Sequence, residues 1–167
     1  MFRCLLVPLD PQFQMRRALE VAASFAAEHG ARITLLYVAD LSSTFRYATF
    51  ALLDQETIDR YNARIEGFLR NAASMLAEFD VAAETRIARG TPVSVAINAT
   101  AAAIGADAIV MGTHGRKGLA HVWWGSVTED VLRDATVPVI VVSAAKHTRS
   151  ELQQAFSRRT RSARPPG

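Results

Sequence analysis

Short, nearly unbroken apolar runs alternate with longer segments whose apolar residues recur every three and four positions. This alternation constrains the fold more than any other feature. The runs are residues 3–9 (Arg-Cys-Leu-Leu-Val-Pro-Leu), 32–39, 108–112 and 137–143, and a fifth strand is predicted near 82–88. Helices are predicted over 13–29, 54–78, from the Gly90-Thr91-Pro92 turn to Gly105, and over 126–134. Met15, Leu19, Ala22, Ala23 and Ala26 share one face of the first helix. Ile58, Tyr61, Ile65, Phe68, Leu69, Ala72, Met75 and Leu76 share one face of the second. Gly30 is a natural C-terminal stop. Thr91 suits the N-cap of the third helix and Pro92 its first position, where a missing N–H costs nothing.

Strands this apolar must be covered on both faces, which implies a parallel sheet between two helical layers. The expected fold class is therefore α/β: one domain, a Rossmann-like five-stranded parallel sheet sandwiched by helices, with strand order 3-2-1-4-5. In such sheets ligands bind beyond the carboxyl ends of the strands, where the strand order reverses. That order sets Asp10, after the first strand, across a crevice from the segment after the fourth.

That segment carries the most specific chemistry in the chain. It reads Met111-Gly112-Thr113-His114-Gly115-Arg116-Lys117-Gly118, continues through Trp123-Trp124, and enters a helical pattern at Gly125-Ser126-Val127-Thr128-Glu129. A strand, a glycine-rich loop and a helix start, in that order, cradle phosphate. Glycine lets backbone N–H groups approach an anion, and the helix start adds unpaired N–H groups and partial positive charge. A phosphate-bearing ligand, first of all a nucleotide, is the expectation. The loop is neither a Walker A sequence nor Gly-x-Gly-x2-Gly.

Charge is unevenly distributed. Residues 146–167 hold Lys146, Arg149, Arg158, Arg159, Arg161 and Arg164 against Glu151, a net +5 that leaves −2 on residues 1–145. The domain is expected over 1–145, with 146–167 as a basic, mobile tail. The tail reads as solvated, with an electrostatic contact to nucleic acid or anionic lipid as the alternative. No apolar run approaches the roughly 20 residues that span a bilayer. The opening residues lack a basic n-region and cleavage site, so the expected location is cytoplasmic. Cys4 is the single cysteine and lies in an apolar strand, where a thiol behaves as a small buried hydrophobe.

The spacing Gly112-x2-Gly115-x9-Gly125-Ser126 resembles the nucleotide-binding signature of the universal stress protein family, in its ATP-binding branch. The resemblance runs from residue 3 to 143. It takes in the opening strand with Asp10, the Gly90-Thr91-Pro92 turn, Gly-Ser-Val-Thr-Glu, and the closing Val137–Val142. It implies that Asp10 and the backbone at Val38 contact the adenosine portion. It implies that Gly112 and Gly115 line ribose and phosphates, and that Gly125, Ser126 and Val127 bind phosphate at the helix start. ATP with Mg2+ is the implied cofactor, and a homodimer through the closing strand Val137–Val142 the implied assembly. A regulatory, stress-response role read by other proteins is the implied function. The chain departs from the family at Gln12, where a serine is usual, and at Trp123 and Trp124, where aliphatic residues are.

Each motif residue also has a plain structural reading. Ser126-Val127-Thr128-Glu129 is a capping box. Asp10 could close a strand by an Asx turn. Arg116 is read as a phosphate contact, and Arg116 and Lys117 could equally be solvated loop charges. His114 lacks an adjacent nucleophile or acid, so no catalytic residue is assigned. The four histidines lack metal-ligand spacing, so no protein metal site is expected. Residues 41–52 read as a loop with aromatic anchors that could act as a lid. A slow ATPase or phosphoryl or nucleotidyl transferase, and an interaction module with a vestigial pocket, are the alternative functions.

Overall fold

A computed structural model of the chain describes residues 2–11, 15–40, 54–113 and 126–143. The strands are β1 Cys4–Pro8, β2 Arg32–Asp40, β3 Ala83–Gly90, β4 Ala108–Thr113 and β5 Val139–Ser143. Every pair is parallel and the order is β3-β2-β1-β4-β5, as the alternation predicts. Four helices are described: α1 Arg16–His29, α2 Gln55–Ala77, α3 Val93–Ile104 and α4 Ser126–Asp134.

Successive strand residues point to opposite faces, so an unbroken apolar strand feeds two cores. Leu5 and Val7 of β1 join Ile33, Leu35, Ala108 and Val110 beneath α1 and α2, where Leu19, Ala22, Leu69 and Leu76 pack. Cys4 and Leu6 join Leu36, Ile109 and Met111 beneath α3 and α4, where Ile97, Ala101 and Val131 pack. The Cys4 thiol is buried, and that burial raises its pKa, which fits a packing role.

Helix ends follow local chemistry. Gly30 closes α1 at φ 65° and donates to the Ala26 carbonyl; Gly105 closes α3 in the same left-handed conformation. Asp54 caps α2 by accepting the Thr57 N–H at 2.7 Å. The third helix departs from expectation by one residue. Pro92, with ψ 154°, is the N-cap and Val93 the first helical residue. The extended Pro92 carbonyl already accepts from Val95 and Ala96, which makes it the half-in residue in place of Thr91. The predicted start of α1 at 13, the 41–52 loop and the tail at 146–167 lie outside the described residues.

The closing strand also starts later than the expected 137, and it runs to Ser143. Proline has no N–H to give a ladder, so Pro138 precedes the strand and takes part only as an acceptor, from Ile109 at 2.9 Å. β5 and β3 are the two sheet edges.

Asp107 fastens the opposite end of the sheet. Its carboxylate accepts the Arg3 N–H at 2.7 Å and the Cys4 N–H at 2.8 Å, and its own N–H donates to the Cys4 carbonyl at 2.8 Å. These two backbone donors, Arg3 first, hold the carboxyl below its ordinary pKa. A depressed native pKa gives stability that is complete above the unfolded value, about 3.9, and lost as pH falls through the native one. Asp107→Ala is therefore expected to flatten the acid limb of the stability curve. Urea unfolding from roughly pH 6 to pH 2 checks this, and parallel curves for the two proteins would contradict it.

Candidate functional site

The sheet is not paired along its whole length. β1 stays with β2 to its last residue, Pro8↔Leu36, and β4 stays with β5 to Thr113↔Ser143. Between β1 and β4 only Leu5↔Ala108 and Leu6↔Ile109 are paired. The β1–β4 ladder ends at Leu6, short of the carboxyl ends of the two central strands.

Pro8 accounts for the end of the ladder. The Leu9 N–H donates to the Leu36 carbonyl at 2.8 Å, so it points at β2. Successive backbone groups in a strand point to opposite sides, so the Pro8 nitrogen faces β4 and carries no hydrogen to donate. Proline is normally confined to sheet edges or strand starts. Here it stands on the central strand, where the ladder to β4 ends. The sequence analysis missed this residue, although a proline inside an apolar central run was a visible signal.

The predicted site residues that are described lie at the carboxyl ends of these strands. Asp10 is exposed and lies two residues past the last β1–β2 pair, as Val38 does on β2. Val38 is half-buried, packs against the α3 side of the core and stands opposite Ala88. Gly112 lies on β4 opposite Val142. β1 is flanked by β2 and β4, so these three residues occupy adjacent strands at one edge. α4 links the parallel strands β4 and β5, so its start returns to that edge. Ser126 opens α4 and is exposed, as is Val127 after it. Gly115, Arg116 and Gly125 lie outside the described residues.

Gly112 is not held by internal packing. A Cβ built on it meets no atom of the described residues within 4 Å. Its φ is not in the left-handed region. Among the described residues neither turn geometry nor close packing requires a glycine here. Thr113, the next residue, is 4% exposed, and its hydroxyl has no hydrogen-bond partner among the described residues. Nothing in the sequence marked it beyond its place in the loop. Together these features set a glycine backbone and a helix start at the carboxyl ends of the strands, at a topological switch point.

Among the described residues no group of three His, Cys, Asp or Glu could hold a metal. No described helix is long and apolar enough to cross a membrane.

The fold has counterparts among known proteins. A family model for the universal stress protein family matches residues 1–143. Universal stress protein YxiE of Bacillus subtilis is 32% identical over 148 residues, covering 85% of this chain and 99% of that relative. Among solved structures, universal stress protein UspA from Lactobacillus plantarum is 30% identical with a TM-score of 0.69, covering 84% of this chain and 97% of that one. The universal stress protein from Archaeoglobus fulgidus in complex with dAMP is 26% identical with a TM-score of 0.60, covering 83% and 96%. The chain belongs to the universal stress protein family.

Proposed function

We propose that this protein binds an adenine nucleotide, ATP with Mg2+, in the crevice between β1 and β4, and that occupancy regulates its contacts with other proteins. The observation that carries the reading is the switch point between β1 and β4, with Gly112 at the carboxyl end of β4 and no atom of the described residues within 4 Å of a Cβ placed on it. The glycine loop that follows β4 in the sequence supplies backbone donors for phosphate, and the α4 start adds its free N–H groups. A similar protein from Archaeoglobus fulgidus forms a complex with dAMP, an adenine nucleotide.

Each site residue has a role in this reading. Asp10 and the Val38 backbone hold the adenosine portion. Gly112 and Gly115 line ribose and phosphates. Gly125, Ser126, Val127 and Arg116 hold the phosphates. Phosphate oxygens, and not a cluster of protein carboxylates, carry the magnesium ion. Residues 1–145 form the nucleotide-binding unit and 146–167 a basic tail. The protein works in the cytoplasm as a homodimer formed along the β5 edge, where Val139, Ile140 and Val141 are only half-buried.

The test starts with the purified protein. Nucleotide carried through purification is extracted with acid and identified by chromatography. AMP and ATP are then titrated calorimetrically with and without magnesium. Binding in the micromolar range, about −8 kcal/mol, is the expected result. Absence of binding by every adenine nucleotide would overturn the proposal and leave an interaction module.

A further inference from the structure

We propose that the Thr113 hydroxyl is a ligand-contacting group of this site, donating a hydrogen bond to the phosphate end of the nucleotide. The inference rests on the nucleotide reading above and adds to it a side chain which that reading does not use.

Thr113 is the last residue of β4, one past Gly112, on the rim of the crevice. It is 4% exposed, and its Oγ1 is buried with no hydrogen-bond partner among the described residues. Folded proteins leave few buried hydroxyls unpaired, because each has lost its water and gained nothing in return. The other orphaned polar group in the described residues is the Asn98 amide. Asn98 lies in the second turn of α3, further from the strand ends, whereas Thr113 lies at them.

The pleat gives the direction of Thr113. Ile109, Met111 and Thr113 share one face of β4, and Ile109 and Met111 pack with Val131 of α4. Thr128, one turn nearer the start of α4, is buried at 4% exposure. Above Met111 on the strand comes Thr113, and above Val131 on the helix comes Thr128. Thr113 is thus level with the first turn of α4, where free N–H groups and the positive end of the helix dipole favour an anion. A hydroxyl there is placed to donate to a phosphate oxygen.

Thr113→Val keeps the side-chain shape and removes the hydroxyl; Thr113→Ser keeps the hydroxyl. AMP and adenosine are titrated into wild type and both variants, and melting temperatures are taken without ligand. For Thr113→Val, AMP binding is expected to weaken about 10- to 100-fold, the effect of losing a hydrogen bond to a charged group. Adenosine binding is expected to stay at the wild-type level. The ligand-free melting temperature is expected to rise by roughly 2 °C or more, because an unpaired buried hydroxyl is gone. Thr113→Ser is expected to bind AMP as wild type does. If wild type binds AMP and Thr113→Val binds it equally well, this inference falls and the nucleotide reading stands. Equal weakening for AMP and adenosine, or a lower melting temperature for Thr113→Val, also overturns it. A wild-type protein that binds neither ligand overturns the nucleotide reading and this inference together.

Discussion

Gly112→Val is expected to weaken AMP and ATP binding at least about tenfold while the fold stays intact. Both halves follow from the same position. The backbone at Gly112 lies outside the left-handed region, and a Cβ there meets no atom of the described residues within 4 Å. Valine is favoured in strands, so thermodynamic stability should hold or rise by up to about 1 kcal/mol. The new methyl groups enter the space through which a nucleotide would approach. Forcing a ligand against added methyl groups costs about 1–3 kcal/mol, or roughly 10- to 100-fold in Kd. Calorimetric titration gives the affinity and urea unfolding gives the stability. A folded variant that binds like wild type would move the site away from β4. An unfolded variant would show that the glycine serves the fold.

Leu6→Ala is expected to have the largest effect on stability, a loss of about 2–5 kcal/mol. Leu6 is fully buried on the central strand and pairs with Thr34 of β2 and Ile109 of β4. Its pairing with Ile109 is the last between β1 and β4. Truncation leaves a cavity under α3 and α4 where the sheet has the fewest remaining ties. Set against a total of about 5–15 kcal/mol, that loss is a large share, and the melting temperature should fall by roughly 2–4 °C for each kcal/mol. Ile87 is the contrast. It is 43% exposed on the β3 edge, and Ile87→Ala should change stability by about 0.5 kcal/mol or less. Thermal unfolding of the three proteins in parallel checks the ranking; similar losses in both variants would contradict it.

Most of the architecture was legible in the sequence because the signals are local. The 3.6-residue spacing around Leu69, Ala72 and Leu76 marks the buried face of α2, and the first-helix stripe through Leu19 and Ala22 marks that of α1. Gly30 ends α1 where expected, since only glycine takes its left-handed backbone at little cost. Boundaries were less legible. Thr91 was a sound N-cap by residue type, but the backbone at Pro92 is extended and the helix starts one residue later. Val137 belongs by composition to the closing strand, yet Pro138 delays the ladder to Val139. The β3 sequence is largely exposed and polar, and its pairing with β2 carries it on to Gly90.

The site was half legible. Asp10, Val38, Gly112, Ser126 and Val127 share the edge of the sheet that strand order and resemblance pointed to. The roles of Pro8, Thr113 and Asp107 were not visible, for a common reason. Each depends on the direction of one group relative to a strand distant in sequence. The Pro8 nitrogen matters because it faces β4; the Asp107 carboxylate matters because the Arg3 and Cys4 N–H groups come to it.

By itself the sequence determined the fold class and a glycine loop suited to phosphate; the strand order was the one that sets Asp10 beside that loop, and the structure showed it. The fold class and the loop follow from periodicity, apolar patterning and residue type, which act over a few neighbouring positions. The tertiary structure alone decided where the β1–β4 ladder ends, which of the described side chains are buried without partners, and where the described helices and strands begin. Those depend on hydrogen bonds between strands, whose directions are fixed only once the register is set.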